Sequence, residues 1–321
     1  MSINLLGDDY PLMQRVQTGF YSLDRALAKD KTDKEIGFPL RTMTEIFGPT
    51  GLGKTTFSLS IGGLIASKLK GNIGVIPIDN MDRDIASAIL GTVGFEGDVH
   101  FSLKKEDEES IDNLMTLMWD EDKNNIAFGL LDSLAAISPI SEQEGGVGDA
   151  NMGRRAKIAS SLSHKVNHIL KLRKTPSIFM FTNHVHQNIG FVGTNTSGGV
   201  TSKYMSQIRI RLKSVDEFDD GVVLEGKVEK FNFGPDKRTF HVFMLGGVGL
   251  HLGLSAVWDC IFTKKASLDN TIKMDGKSYG RANKLIANRD DDELFKPFID
   301  KLNDDPSIDT GGLSPDELLE A

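Results

Sequence analysis

Apolar and amphipathic stretches alternate along the first 185 residues. The mostly apolar runs have the length of buried β-strands, and they are Met43–Phe47, Asn72–Asp79, Ile126–Ser133 and Ser177–His184. Between them, Glu106–Trp119 and Arg154–Arg173 have apolar residues every three or four positions, which is the spacing of one helical face. This alternation predicts an α/β fold with a mostly parallel sheet and helices on both of its faces.

The pattern changes after residue 185. Strand-like segments follow one another at Gln207–Leu212, Val222–Phe233 and Thr239–Leu245, so we expect antiparallel hairpins that extend the sheet. From about Leu250 a helix leads into a smaller unit. We expect a short N-terminal segment (1–15) that could contact another subunit, a core domain (16–250), a small C-terminal α/β domain (251–303) and an acidic tail (304–321).

Composition narrows the class of protein. The 321 residues are 39% hydrophobic and 26% charged, as in an ordinary globular protein. No apolar run reaches the length of a membrane span, and the N-terminus lacks a secretory signal pattern. Cys260 is the single cysteine, so a disulfide within the chain is excluded. We therefore expect a cytoplasmic protein without a membrane partner.

The negative charge is concentrated at one end. Residues 290–321 hold eleven acidic and two basic residues, a net charge of −9, whereas the whole chain has a net charge of −8. Residues 1–289 are therefore close to +1. The acidic overall balance consequently does not argue against nucleic-acid binding by the body of the protein.

One glycine-rich stretch fits the pattern G-x-x-x-x-G-K-[ST], between an apolar strand and a helical segment. Its glycines let backbone N–H groups approach phosphates, its lysine reaches the β- and γ-phosphates, and its last hydroxyl can ligate Mg²⁺. We therefore expect ATP as the nucleotide and Mg²⁺ as the metal. The expected phosphate-binding residues are Gly48, Pro49, Thr50, Gly51, Leu52, Gly53, Lys54, Thr55 and Thr56.

Asp132 ends the third apolar strand and precedes Ser133. Hydrolysing NTPases need a carboxylate at such a place to hold the Mg²⁺ shell, here through water, opposite Thr55. A strand-end aspartate is also a common turn former. Together with Lys54 upstream, the magnesium role is the favoured interpretation.

Five further segments give the chain a resemblance to a known family. They are Thr18–Asp24, Leu131–Pro139, Glu144–Gly153, Phe181–His184 and Thr196–Gly199, and in this order they resemble RecA. The similarity covers about residues 16–300. The divergence resembles that of phage-type RecA recombinases more than that of the bacterial housekeeping protein, which points to a bacterial or phage-infected cell.

The resemblance implies a function and partners. RecA-like proteins form helical filaments on single-stranded DNA, bind ATP between subunits, and exchange strands with a homologous duplex. Their two DNA-contacting loops match Glu144–Gly153 and Asn188–Gly199, which would otherwise be plain surface connections. The implied DNA-binding residues are Gly145, Gly146, Met152, Arg154, Arg155, Asn188, Ile189, Phe191, Ser197, Gly198 and Gly199.

The resemblance also implies roles for two groups near the γ-phosphate. His184 stands where the family has a polar sensor, usually glutamine, and we count it among the catalytic residues with Lys54. Lys230 matches the first of two lysines that the family supplies in trans from the neighbouring subunit. The second position reads Asn232, although Lys237 or Arg238 could substitute for it.

The family's catalytic glutamate has no direct counterpart. Met81 falls on its position without a gap, and a one-residue shift brings Asp82 there. Methionine cannot act as a base. We take Asp82 as the candidate base and Asp79 as the fallback, while the structural alternative for Asp82 is the N-cap of a helix.

Three functions remain open at this point. The first is a DNA-dependent ATPase that forms a recombination filament. The second is a DNA-binding filament protein that uses ATP as an assembly switch and scarcely hydrolyses it, which Met81 and Asn232 favour. The third is a hexameric helicase with the same core, which the fit of both loops argues against.

Overall fold

The computed structural model describes most of the chain. The described residues are 14–29, 35–79, 81–138, 152–187, 194–196, 203–204 and 206–304. Most of the expected N-terminal segment, almost all of the acidic tail and much of the two candidate DNA loops lie outside these residues.

Fifteen strands are described. In chain order they are β1 (Arg15–Val16), β2 (Phe38–Pro39), β3 (Met43–Gly48), β4 (Asn72–Pro77), β5 (Val99–Phe101), β6 (Ile126–Asp132), β7 (Ile178–Gln187), β8 (Thr194–Thr196), β9 (Ile208–Phe218), β10 (Gly221–Phe231), β11 (Thr239–Leu245), β12 (Gly249–Leu250), β13 (Ser267–Leu268), β14 (Ile272–Met274) and β15 (Lys277–Gly280).

The helices separate these strands. They are α1 (Tyr21–Ala26), α2 (Lys54–Lys68), α3 (Arg83–Thr92), α4 (Asp107–Trp119), α5 (Glu121–Asn124), α6 (Met152–Leu172), α7 (Leu252–Phe262), α8 (Ala282–Ala287) and α9 (Asp292–Asn303), with a 3₁₀ turn at Leu134–Ala136. Among the described helices, none combines the length and the apolar composition that crossing a membrane requires.

A ten-stranded sheet forms the centre of the fold. Its order is β12-β11-β10-β9-β3-β7-β6-β4-β5, with β8 paired to β7. The six strands from β9 to β5 run parallel, and β10, β11 and β12 continue the sheet antiparallel. The α/β class, the parallel centre and the antiparallel extension are thus confirmed. The parallel strands are buried on both faces, which explains their continuous apolar runs.

The register brings three strand ends to one edge of this sheet. Gly48 pairs with His184, Leu131 with Phe181, and Pro77 with Asp132. The residues that follow parallel strands therefore meet at the carboxyl edge, where α/β proteins bind ligands. Two strands extend beyond the sequence expectation: β7 continues past His184 to Gln187 and pairs antiparallel with β8, and β9 continues past Leu212 to Phe218.

Helix α2 lies against one face of the sheet, and α4 and α6 lie against the other. Phe57 and Phe128 belong to the cluster on the α2 face, whereas Leu114 and Val166 belong to the cluster on the α4 and α6 face. A Cβ at Gly62 would stand 2.4 Å from the Phe128 ring. Glycine at this position therefore allows α2 to approach β6, which fixes the start of α2 beside the carboxyl edge.

The C-terminal segment packs onto the core rather than standing apart. Phe243 of β11 shares a hydrophobic cluster with Leu254 and Trp258 of α7 and with Phe295 and Phe298 of α9. Strands β13, β14 and β15 form a small antiparallel sheet beside these helices. Continuous apolar packing thus joins this unit to the antiparallel end of the large sheet.

Candidate functional site

The glycine-rich loop connects β3 to α2. Gly51 and Gly53 adopt left-handed backbone conformations, with φ of 78° and 80°. Such angles strain residues with a Cβ, so glycine is required for this turn. Gly53 is the N-cap of α2, and its carbonyl accepts the N–H of Phe57 at 2.8 Å. The N–H groups of the first turn of α2 therefore remain directed at the loop, where they can bind phosphate.

Lys54 is buried beneath this loop. Its Nζ donates to the carbonyl oxygens of Gly48 at 3.2 Å and Pro49 at 2.7 Å. Burial lowers the pKa of Lys54, while the charges of Asp132 and Asp79 oppose the shift. A desolvated ammonium held by loop carbonyls is suited to bind an anion that enters the loop.

Asp132 lies at the end of β6 with both carboxylate oxygens engaged. Thr55 Oγ1 donates to Oδ2 at 2.7 Å, and Thr182 Oγ1 donates to Oδ1. Burial raises the pKa of Asp132, and these two hydrogen bonds oppose that shift. A carboxylate beside a hydroxyl offers the hard oxygen ligands that Mg²⁺ prefers, so the residues fit this ion. Thr182 was missed by the sequence analysis, although it is a polar residue at an apolar strand end.

His184 stands between the loop and the end of β4. Its Nδ1 lies 3.3 Å from Thr50 Oγ1, and its Nε2 lies 3.6 Å from Asp79 Oδ2. Ser133 Oγ donates to the same oxygen of Asp79 at 2.6 Å. The expected sensor histidine is therefore in contact with the phosphate loop, and Asp79 belongs to the same cluster.

Asp82 has a different environment. Its Oδ1 accepts the N–H groups of Asp84 at 2.8 Å and Ile85 at 3.1 Å, so it caps α3, and its side chain is exposed. Met81 is partly buried and packs against the main hydrophobic cluster. Within the described part of the chain, the hydrogen bonds of Asp82 do not reach the phosphate loop. Asp82 thus has the capping role that the sequence left as its alternative.

Lys230 lies on β10, away from the phosphate loop of its own chain. Its Nζ donates to the carbonyl oxygens of Lys203 at 3.1 Å and Tyr204 at 3.0 Å. Burial lowers the pKa of Lys230; the charge of Arg209 lowers it further, and that of Glu45 opposes this. Lys230 pairs with Arg209 of β9, and Arg209 pairs with Glu45 in the first half of β3. The phosphate loop begins only after the last residue of β3, so Lys230 is not level with it.

The two substitutes suggested for the second trans lysine differ in their surroundings. Arg238 Nη1 donates to the carbonyl of Ala28 at 2.6 Å and to that of Arg25 at 3.3 Å. Lys237 is exposed and has a φ of 66° in the turn between β10 and β11. Arg238 is therefore held by its own chain, and Lys237 is the more accessible cation.

Most of the candidate DNA-binding residues lie outside the described part of the chain. These are Gly145, Gly146, Asn188, Ile189, Phe191, Ser197, Gly198 and Gly199. Met152, Arg154 and Arg155 lie in the first turn of α6, where the backbone alone is described. Their contact with DNA stays a prediction.

Comparison with known proteins identifies similar sequences. Residues 1–236 match a family model described as the RecA N-terminal domain. A protein named Protein RecA from Frankia casuarinae is 25% identical over 334 residues, covering 98% of this chain and 92% of the relative. The corresponding protein of Chlorobaculum tepidum is 28% identical over 260 residues, covering 78% and 71%. That of Ehrlichia chaffeensis is 30% identical over 220 residues, covering 67% and 57%.

Proposed function

The chain belongs to the RecA family, and we propose that it is a DNA-dependent ATPase that forms filaments on single-stranded DNA. In these filaments it pairs the bound strand with a homologous duplex and exchanges strands, in recombination and repair. The observation that carries this proposal is the cluster at the carboxyl edge of the sheet. There Lys54, Thr55, Asp132 and His184 surround one glycine-rich loop.

The phosphate loop binds the triphosphate of ATP. Backbone N–H groups of residues 50–56 and the Lys54 ammonium neutralise its negative charge. Thr55 would hold Mg²⁺ directly and Asp132 would hold it through water, and the bound ion would stabilise negative charge on the phosphate oxygens. The existing contact between Thr55 and Asp132 at 2.7 Å supports this pair as its holders.

Two carboxylates are candidates for orienting the attacking water. Asp82 is the candidate closest in sequence to the family's glutamate, and Asp79 is the fallback. The contacts of Asp79 with Ser133 and His184 support Asp79, because they join it to the phosphate loop. Asp82 is the N-cap residue of α3, and its carboxylate is engaged in capping that helix.

Lys230 acts in trans on the ATP of a neighbouring subunit. Its distance along the sheet from the loop of its own chain supports this assignment, since β10 pairs with β9 level with the first half of β3. A cation supplied by the neighbour couples hydrolysis to filament assembly. Lys237 is the accessible candidate for the second cation.

A direct test measures ATP hydrolysis with and without single-stranded DNA, with electron microscopy of the same mixtures. We expect DNA-stimulated hydrolysis and helical filaments, and we expect Lys54→Ala to lose the hydrolysis because the loop then lacks its phosphate-binding ammonium. Asp98→Asn serves as a matched control, since Asp98 is an exposed residue in the turn before β5. Closed rings in place of filaments would refute the recombinase and favour a helicase.

A second candidate is a filament protein that uses ATP binding as a switch and hydrolyses it very slowly. The observation in its favour is that Met81 is partly buried against the core and Asp82 caps α3, so that the family's glutamate position holds no base. DNA-bound filaments with negligible turnover at saturating ATP would identify this switch. Rapid DNA-stimulated turnover would exclude it.

A further inference from the structure

Glu45 is a buried carboxylate that the proposed ATPase chemistry does not use. It lies in the middle of β3 with none of its surface exposed. Asn183 Nδ2 donates to its Oε1 at 2.8 Å, and Arg209 Nε donates to its Oε2. An ion in this position is tolerated only because both oxygens have partners, and removal of one partner is strongly destabilising.

On one side, this carboxylate is connected to His184. Asn183 Oδ1 accepts the backbone N–H of His184 at 2.9 Å, while the Asn183 amide group donates to Glu45. The carboxamide is therefore held at both ends, by Glu45 and by the backbone of His184.

On the other side, Glu45 is connected to Lys230. The Arg209 guanidinium lies over the Phe47 ring, 4.6 Å from its centroid, and Arg209 pairs with Lys230 between β9 and β10. Two cations are thus neighbours in a partly buried row, and the Glu45 carboxylate compensates for their repulsion. The charge of Glu45 also raises the pKa of Lys230, against burial and Arg209, which lower it.

We propose that Glu45 is a positioning residue that holds Arg209 and thereby presents Lys230 to the ATP of the neighbouring subunit. Through Asn183 it also connects this trans cation to the His184 of the same subunit. The inference rests on the proposed trans role of Lys230. It adds a route by which the nucleotide state of one subunit reaches the next.

A subunit-mixing experiment separates this role from a purely structural one. Donor subunits carry Lys54→Ala, which removes their own ATP binding but keeps Lys230. Recipient subunits carry Lys230→Ala and keep an intact ATP site. Random mixing in a head-to-tail filament pairs a recipient ATP with a donor lysine at about a quarter of the interfaces. We therefore expect the mixture to recover DNA-stimulated hydrolysis that neither variant shows alone.

The test variant is Glu45→Gln, which removes the charge and keeps the shape of the side chain. In the donor it should reduce the recovered hydrolysis on the order of 10-fold, because Arg209, the strand neighbour of Lys230, then loses its carboxylate partner. The matched control is Asp24→Asn in the donor. Asp24 is an equally buried carboxylate, but it binds Thr18 and Gly19 rather than the row to Lys230. We expect the control donor to leave the recovered hydrolysis unchanged.

The outcomes are distinguishable. Full recovery with the Glu45→Gln donor, present in the DNA-bound filament at wild-type proportion, would overturn the role of Glu45 and leave the trans role of Lys230 intact. No recovery with the unmodified donor, when that donor is present in the DNA-bound filament, would overturn the trans role itself, and the role of Glu45 with it. If Glu45→Gln does not fold, Arg209→Lys in the donor gives the same test, because it keeps the charge and removes the guanidinium; we expect the same loss.

Discussion

The hydroxyl of Thr55 lies 2.7 Å from a carboxylate oxygen of Asp132, although 77 positions separate the two residues in the chain. Thr55 lies in α2, the helix that follows β3, and Asp132 ends β6. The parallel sheet brings both residues to its carboxyl edge. The pair proposed to hold Mg²⁺ is therefore assembled by the protein itself. This arrangement needs no large rearrangement before the ion binds, which is the meaning of preorganisation at a metal site.

Removal of the Asp132 charge should impair magnesium-dependent hydrolysis. In Asp132→Asn, we expect kcat to fall on the order of 100-fold at saturating Mg²⁺, because the ion loses a charged partner. Hydrolysis measured across a Mg²⁺ titration, with Asp98→Asn as the control, tests this. Wild-type kcat in the variant would contradict the magnesium role of Asp132.

Asp79 and Asp82 should give opposite results on substitution. Asp82→Ala removes the cap of α3 and should cost about 1 kcal/mol of unfolding free energy, with hydrolysis largely kept. Asp79→Asn should slow hydrolysis, because Asp79 contacts His184 and Ser133 beside the loop. Chemical denaturation measures the stability of both variants, and steady-state assays measure their hydrolysis. Lost turnover with unchanged stability in Asp82→Ala would assign the base to Asp82.

Substitution of His184 should uncouple ATP binding from DNA binding. In the wild type we expect ATP to raise the affinity for single-stranded DNA on the order of 10-fold. His184→Ala removes the group that contacts Thr50 and Asp79, so ATP should no longer raise this affinity in the variant. His184→Gln keeps a hydrogen-bond donor and should retain most of the effect. Fluorescence anisotropy with labelled DNA, with and without ATP, measures it. An unchanged ATP effect in the alanine variant would exclude the sensor role.

Asp259 should make the stability of the protein depend on pH. It lies buried on α7, where Oδ2 accepts the N–H of Ser22 at 3.1 Å, and Oδ1 has no hydrogen-bond partner among the described residues. Burial raises the pKa of Asp259 from 3.8 to about 7, and the hydrogen bonds from Ser22 oppose the shift. The folded state therefore holds a proton that the unfolded chain releases at lower pH.

This difference in bound protons determines whether the free energy of unfolding rises or falls with pH. Between about pH 4 and pH 7 the unfolded chain binds fewer protons at this group, so the free energy of unfolding falls as pH rises and is constant above. The full shift of the Asp259 pKa corresponds to about 4 kcal/mol of unfolding free energy. Asp259→Asn removes the ionisation, so it should be more stabilising relative to wild type at pH 8 than at pH 5. Urea unfolding of both proteins at the two pH values measures this; an equal difference at both would show that Asp259 is ionised in the folded state.

The sequence by itself determined the fold class and the local chemistry of the phosphate loop. Its apolar runs have the length of buried strands, and two glycines of the loop, Gly51 and Gly53, stand at positions where φ is positive. Asp132 was expected opposite Thr55 from the chemistry of NTPases, and His184 near the γ-phosphate from the resemblance to RecA. These conclusions depend on short-range patterns, which a sequence displays directly.

The tertiary structure alone decided which side chains touch. Asp79, rather than Asp82, lies beside His184, because the chain turns after β4 and Asp82 is drawn into the cap of α3. Thr182 reaches Asp132 across neighbouring strands. The row from Asn183 through Glu45 and Arg209 to Lys230 crosses four strands. Such contacts depend on strand order and register, which long-range packing sets and which no local pattern in the sequence encodes.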